Sequence, residues 1–152
     1  MRKIHAVALL CLLHSGTSLG QRVSLGSLWT TEGRDAASME DINKGILEMD
    51  KAVKLAPQDI TLRLVRGINS IYLPSLFNRI EIGLGDFNYL LAHSEFQHFD
   101  ARLKSTIYCW AGIAYKADHK NEKAKDLLNK AFSVAPNSEN GKRAEQELKE
   151  IT

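Results

Sequence analysis

Cysteine and proline are both scarce in this chain, whose 152 residues include two cysteines and three prolines. Cys11 lies in an N-terminal segment that we expect to be removed, which leaves Cys109 as the one mature cysteine. A single cysteine cannot form an intramolecular disulfide, so a disulfide framework is excluded. The mature domain must therefore be held together by packing alone.

The mature chain would also lack an excess of charge of either sign. The sequence contains 20 basic and 18 acidic residues, and residues 1–20 hold two of the basic residues and no Asp or Glu. The mature count is then 20 − 2 = 18 basic residues against 18 acidic ones. A surface that binds nucleic acid needs clustered positive charge, so we do not expect nucleic acid as a partner. Glycine-rich phosphate loops, cysteine pairs and nucleophile elbows are absent as well.

The sequence has no apolar run long enough to cross a bilayer as a helix. The apolar run at the N-terminus, Ile4 to Leu13, is too short for that. It follows two basic residues and precedes small residues at Ser18 and Gly20, which are the three parts of a secretory signal in order. We therefore expect a signal peptide over residues 1–20 and an exported mature protein, periplasmic or secreted, with no stable membrane span. The alternative is a buried N-terminal helix.

What the sequence does contain is helical periodicity, most clearly in residues 108–136. Apolar residues recur there at steps of three and four on both sides of a polar turn. Small residues, Gly112, Ala124 and Ala131, occur where two helices can approach closely. Pro136 lacks a backbone N–H and ends the second helix. The stretch is therefore predicted to be an antiparallel helix pair with a short loop.

The residue spacing in this pair resembles the tetratricopeptide repeat (TPR) signature of about 34 residues. Six positions match in type and spacing: Gly112, Tyr115, Ala124, Leu128, Ala131 and Pro136. Reading back from Pro57 gives a degenerate first repeat with five further positions: Trp29, Gly33, Gly45, Met49 and Ala52. The resemblance implies an all-α fold, an α-solenoid of about three helix pairs plus a C-terminal capping helix. It also implies a single repeat domain over residues 21–152.

The sequence predicts about seven helices in all. Polar residues that can cap a helix indicate where several of them begin. Ser38 would cap the second helix of the first repeat, and Asp100 would cap the helix that carries Trp110. Ser138 or Asn140 would cap a last helix that covers the open edge of the stack. That helix has a narrow apolar stripe, and its charged residues are expected to face water: Lys142, Arg143, Glu145, Glu147, Lys149 and Glu150.

The middle repeat carries Gly67 at the small position of its first helix but departs from the family spacing by four extra residues around Pro74. We expect these residues to add one turn to the second helix, which would run over Leu76–Leu91. Three residues would then take the packing positions one turn late: Gly83, Phe87 and Leu90. The alternative is a loop, in which residues 75–78 are irregular and the helix begins later.

The resemblance implies that the first helix of each pair lines an inner groove for a protein or peptide partner. In the middle repeat the groove positions are Thr61, Leu64, Ile68, Ile71 and Tyr72. In the last repeat they are Thr106, Cys109, Ile113, Lys116 and Ala117. The added turn would also expose Leu73, Pro74 or Phe77 at one rim, and grouped apolar residues at a rim are a candidate partner site.

The function that we expect is a scaffold or adaptor that binds a protein or peptide and performs no catalysis. One alternative is a permanent structural subunit of an envelope complex, which would have a larger interface. A homodimer is also compatible with so short a stack. The groove could instead be filled by the chain itself, with Phe96 or Phe99 as the plug.

A second alternative is a small-ligand or metal-binding protein that uses the cluster His93, Glu95, His98 and Asp100. Two histidines that bind zinc from one helix lie four residues apart. His93 and His98 are five apart, which would point them about 140° away from each other on a helix. The expected role of the cluster is a polar connection between repeats, and no metal or cofactor is expected.

Three other residues are candidates for catalysis or ligand binding: Cys109, Arg63 and Arg66. Cys109 lies on an apolar helix with no base beside it, so we expect a small buried residue and not a nucleophile. Arg63 and Arg66 could bind a carboxylate, although two exposed arginines more often form a solvated face.

Overall fold

The structure is a computed structural model that describes residues 39–151. They form six α-helices: α1 (Met39–Leu55), α2 (Ile60–Tyr72), α3 (Ile80–Leu91), α4 (Ala101–Ala117), α5 (Asn121–Val134) and α6 (Glu139–Lys149). Two short 3₁₀ turns, Ser75–Phe77 and Phe96–His98, lie before and after α3. No strand occurs within residues 39–151, and the predicted all-α class is confirmed.

Several predicted features lie outside the described residues. They are the signal peptide over residues 1–20, the first helix of the first repeat with Trp29 and Gly33, and the capping residue Ser38. The chain groups into two compact units that divide between Arg66 and Gly67, inside α2. The single repeat domain over residues 21–152 and its solenoid architecture stay predictions.

The first unit has a small apolar core between α1 and the start of α2. Ala52, Val53 and Leu62 form a buried cluster, and Ala56 and Val65 pack against it. The buried positions of α1 recur at helical spacing and include the three repeat positions that the sequence places there, Gly45, Met49 and Ala52. The other two are Ile42 and Val53.

The turn between α1 and α2 is set by Pro57 and Asp59. α1 ends at Leu55, because the residue before a proline is disfavoured in helical conformation. Asp59 then caps α2, since its Oδ1 accepts hydrogen bonds from the backbone N–H groups of Thr61 (2.8 Å) and Leu62 (3.0 Å). This cap was not predicted, although an aspartate directly before an apolar helical stripe is a recognised signal.

In the second unit, α4 packs most extensively against α5, through the small residues that the sequence singled out. A β-carbon on Gly112 would lie 2.7 Å from Cγ of Leu128 and 3.2 Å from the carbonyl oxygen of Ala124. Ala124, Leu128 and Ala131 are fully buried. The predicted helix pair with a short loop is confirmed.

The end of α2 approaches α3 in the same way. A β-carbon on Gly67 would lie 3.0 Å from Cζ of Phe87, and one on Gly83 would lie 3.1 Å from the carbonyl oxygen of Gly67. Phe87 and Leu90 are fully buried and Gly83 is buried, so these residues pack as predicted. The paired residues are 87 − 67 = 20 positions apart here and 128 − 112 = 16 apart between α4 and α5, a difference equal to the four extra residues.

Those four residues do not form an added helical turn, and the prediction of a helix over Leu76–Leu91 is wrong. Ser75–Phe77 is a 3₁₀ turn, and Asn78 follows in the left-handed conformation with φ 51° and ψ 43°. α3 begins only at Ile80. A left-handed residue interrupts a right-handed helix, and asparagine tolerates this conformation better than most residues. The loop alternative is the correct one.

The 3₁₀ turn also decides which apolar residues of this segment are exposed. Leu73 is only 7% exposed, so the prediction that it lies at an exposed rim is wrong. Phe77 is half-buried and Pro74 is exposed. The large apolar side chain that this segment does expose is Leu76, at 61%.

Candidate helix-binding face

The candidate site is a face of α4 against which α6 packs. Asp100 caps α4 as predicted, since its Oδ1 accepts a hydrogen bond from the backbone N–H of Leu103 at 2.8 Å. Residues three or four positions apart on a helix are neighbours on its surface. Thr106, Cys109 and Lys116 therefore lie along one side of α4.

α6 reaches this face because the chain turns sharply after α5. Ser138 caps α6 as predicted, since its Oγ accepts a hydrogen bond from the backbone N–H of Gly141 at 2.9 Å. A β-carbon on Gly141 would collide with the carbonyl oxygen of Ala135. Only glycine therefore permits the backbone of α6 to pass so close to the end of α5.

Hydroxyl and amide groups near the N-terminus of α4 bind the start of α6 and the end of α5. The Nδ2 of Asn140 donates a hydrogen bond to Oγ1 of Thr106 at 2.8 Å. The Oγ of Ser105 donates to the carbonyl oxygen of Ala131 at 2.8 Å and lies 3.3 Å from Oγ of Ser138. Ser105 is fully buried, so these partners satisfy a hydroxyl that has no access to water.

Trp110 lies at the middle of the site and is 2% exposed. The guanidinium carbon of Arg143, on α6, lies 4.5 Å from its ring centroid, within the range of a cation–π interaction. Tyr72 meets the same ring edge-on, with centroids 5.3 Å apart. An aromatic face on α4 is thus matched by a cation on α6.

The last turns of the two helices are joined by ion pairs. Nζ of Lys116 lies 2.8 Å from Oε2 of Glu147 and 2.9 Å from Oε2 of Glu150. Partial burial lowers the pKa of Lys116, but the hydrogen bonds and charges of the two glutamates outweigh it, so the pKa is raised overall. Lys116 therefore stays charged at neutral pH and binds both carboxylates through charge-assisted hydrogen bonds.

These contacts correct one prediction. Arg143, Glu147 and Glu150 were expected to face water, yet all three bind residues of α4. Their spacing of four and then three residues places them on one side of α6. That spacing was visible in the sequence, but nothing local to α6 shows that a lysine 31 residues earlier lies opposite.

The apolar contribution of α6 to this face is small. Gly141 and Ala144 are its buried residues, Leu148 is half-buried, and Ile151 is buried just beyond the end of the helix. α5, by contrast, buries two leucines as well as two alanines. α6 is therefore held against α4 largely by polar groups.

Cys109 lies on the covered side of α4 and is fully buried. Desolvation raises the pKa of its thiol to about 12, while Arg143 lowers it and Glu147 raises it to smaller extents. A thiol with so high a pKa carries almost no thiolate at neutral pH, and the thiolate is the nucleophile. The prediction of a small buried residue is confirmed.

The remaining groove positions are more accessible. Ile113 and Ala117 are half-buried on α4. In the first unit Thr61 is exposed and Leu64 is half-buried. In the second unit Ile68, Ile71 and Tyr72 are all half-buried.

Phe96 and Phe99, the candidate plugs, form an aromatic cluster before α4. Phe96 is 4% exposed and meets Phe99 and Tyr108 edge-on, with centroids 5.7 Å and 5.3 Å away. Tyr108 is not among the groove positions. The segment that covers Thr106 and Lys116 is α6 instead.

Three residues of the histidine cluster, His93, Glu95 and His98, bind one another locally. Nδ1 of His93 accepts a hydrogen bond from the backbone N–H of Glu95 at 3.1 Å, and Nδ1 of His98 lies 3.2 Å from Oε2 of Glu95. The ring of His93 also packs near Tyr89 and Phe99. Among residues 39–151, no group of three or more His, Cys, Asp or Glu side chains is placed to hold a metal ion.

The two arginines of α2 have partners inside the first unit. Nε of Arg63 donates a hydrogen bond to the carbonyl oxygen of Pro57 at 2.7 Å. Nη1 of Arg66 donates to Oδ1 of Asp50 at 3.2 Å. Arg66 therefore joins α2 to α1, and Arg63 joins α2 to the turn between the two helices.

No family model, no curated protein and no solved structure matches this chain. None of the described helices combines the length and the apolar character that crossing a membrane requires.

Proposed function

We propose that the mature chain is a non-catalytic protein–protein interaction module, a scaffold or adaptor built from TPR-like helix pairs. The observation that supports this most directly is the helix-binding face of α4, which uses Thr106, Trp110 and Lys116 to hold α6. A surface with hydroxyl, aromatic and cationic groups in a row suits recognition of an amphipathic helix.

The two close approaches in the second unit support the repeat architecture. Gly67 against Phe87 and Gly112 against Leu128 are the same type of contact in consecutive helix pairs. A stack of such pairs exposes the first helix of each pair along one side, as in the TPR resemblance. The partner would then bind at the middle groove positions of the first unit, where Thr61 is exposed and Leu64 is half-buried.

The test is affinity capture with the mature chain as bait, from the exported fraction of its own host. Thr61→Glu places a charge at an exposed groove position, and Asn129→Glu places the same charge at an exposed position of α5. We expect one stoichiometric protein partner with the unmodified bait and with Asn129→Glu, and a several-fold loss with Thr61→Glu. Capture of no stoichiometric partner by the unmodified bait would contradict the proposal.

Export is part of the proposed function and has its own test. Mass spectrometry of the protein from its host should find a mature N-terminus near Gln21 or Leu19, because the three parts of a secretory signal precede it. Intact chains that begin at Met1 in the cytoplasm would overturn the exported location.

A further inference from the structure

α6 is attached to α4 by contacts that are individually weak. Its buried residues are a glycine and an alanine. Leu148 is half-buried and Ile151 is buried just beyond the end of the helix, so α6 contributes two large apolar side chains to the interface. The ion pairs of Lys116 are partly exposed, with side-chain exposures of 25%, 24% and 45% for Lys116, Glu147 and Glu150. Such pairs contribute little to stability and are screened by salt. Elements with few buried apolar contacts are the ones that open locally.

We propose that α6 is a displaceable lid on the helix-binding face of α4. We further propose that the partner which displaces it is a helix with a basic residue followed by carboxylates four and seven positions later. This inference rests on the proposed function, because it assigns the chemistry of the partner to one face of the same module.

The chemistry of the partner follows from the helix that now occupies the face. Arg143, Glu147 and Glu150 are separated by four and then three residues, so they lie on one side of α6. The arginine meets the ring of Trp110 and both carboxylates meet Lys116. Any helix with that order of charges can make the same contacts.

A small residue is also required beside the basic one. Ala144 follows Arg143 directly and is fully buried. A larger side chain there would hold the two helices apart and lengthen the contacts to Lys116. The expected pattern is therefore a basic residue, a small residue directly after it, and two carboxylates at the fourth and seventh positions after the basic one.

The lid α6 and the partner helix compete for the same face of α4. The connection from α5 to α6 is only residues 135–138, so α6 stays near α4 at a high effective concentration even when it opens. A free helix must bind while the lid is open, and its apparent affinity falls by the fraction of time that the face is open. Weakening the lid without altering α4 should therefore strengthen binding in trans.

The probe is a fluorescent peptide with the sequence of residues 137–151, added to the full mature chain and followed by anisotropy. The lid variant is the double substitution Glu147→Gln and Glu150→Gln, which leaves the face of α4 intact. Glu145→Gln is the matched control, because Glu145 pairs with Lys149 of the same helix. We expect the lid variant to bind the peptide about tenfold more tightly than the control does, the change that two weakened ion pairs would produce.

A third variant adds Lys116→Met to the lid variant, which should abolish the gain because the carboxylates of the peptide then have no cation to bind. Hydrogen exchange of the α6 amides should rise in the lid variant and stay unchanged in the control. Equal peptide binding by the lid variant and the control would overturn the proposal and make α6 a permanent cap. Because the probe is the chain's own helix, that outcome is independent of whether a natural partner is captured.

Discussion

Gly112 lies so close to Leu128 that a β-carbon at position 112 would be 2.7 Å from Cγ of the leucine. Side-chain carbons do not approach within that distance without displacement. The backbone of α4 therefore rests directly on a side chain of α5, and glycine at this position is needed for the packing of the two helices. Gly67 and Phe87 repeat the relationship one pair earlier.

The first prediction tests this contact. Gly112→Ala should lower the free energy of unfolding by about 1–3 kcal/mol, because the added methyl group overpacks the interface. The double variant Gly112→Ala and Leu128→Ala should lose less stability than the sum of the two single losses, since shortening Leu128 makes room for the added methyl group. Urea denaturation measures both effects. An unchanged midpoint for Gly112→Ala would mean that α4 and α5 are not so close.

The second prediction contrasts two glycines of α3. A β-carbon on Gly85 would meet nothing within 4 Å, whereas one on Gly83 would lie 3.1 Å from the carbonyl oxygen of Gly67. Gly85→Ala should therefore raise the free energy of unfolding by about 0.4–1 kcal/mol, because alanine has less freedom to lose on folding. Gly83→Ala should give no such gain. Thermal melts of the two variants, compared with the parent chain, decide the matter, and equal shifts would contradict the packing of α3.

The third prediction concerns Ala124, which is fully buried against α4. Ala124→Leu adds three carbons at a site without space and should destabilise the fold by about 1–3 kcal/mol. Asn129→Leu places the same leucine side chain at an exposed position of the same helix and should have little effect. A thermal melt that is the same for both variants would place Ala124 outside the core.

The fourth prediction follows from the thiol of Cys109, whose pKa burial raises from 9.0 to about 12. Folding then favours the protonated thiol, so this contribution to stability is complete below pH 9.0 and is lost as the pH rises to about 12. Cys109→Ser, without such a thiol, should lose less stability than the parent chain over that interval. Native protein should also resist iodoacetamide at pH 8 and react once urea unfolds it. Rapid labelling of the native chain would contradict burial of the thiol.

Much of the fold is local enough to predict from the sequence. The stripe of α1, the small residues of α4 and α5, and the caps at Asp100 and Ser138 depend on residues within a few turns of one another. Periodicity and capping chemistry operate over that distance, so the sequence contains the whole signal. The close packing of Gly83, Phe87 and Leu90 was predicted for the same reason.

The 3₁₀ turn was not predicted because the apolar steps continue without a break from Leu76 into α3. The sequence signal against a continuous helix was Asn78, a residue type that tolerates the left-handed conformation. The apolar periodicity could not distinguish the added helical turn from the loop, because both leave the same residues of α3 facing the core. The path of the backbone around residues 74–79 decided between them.

By itself, the sequence determined that the chain is helical, where most of its helices lie, and which small residues allow them to pack. Only the tertiary structure decided what covers the face of α4. Lys116 and Glu147 are 31 residues apart, and neither local sequence indicates that the other residue lies opposite. Their ion pair exists because Gly141 lets the chain turn back over α4. Whether a charged side chain is solvated or paired therefore depends on what the fold places opposite it.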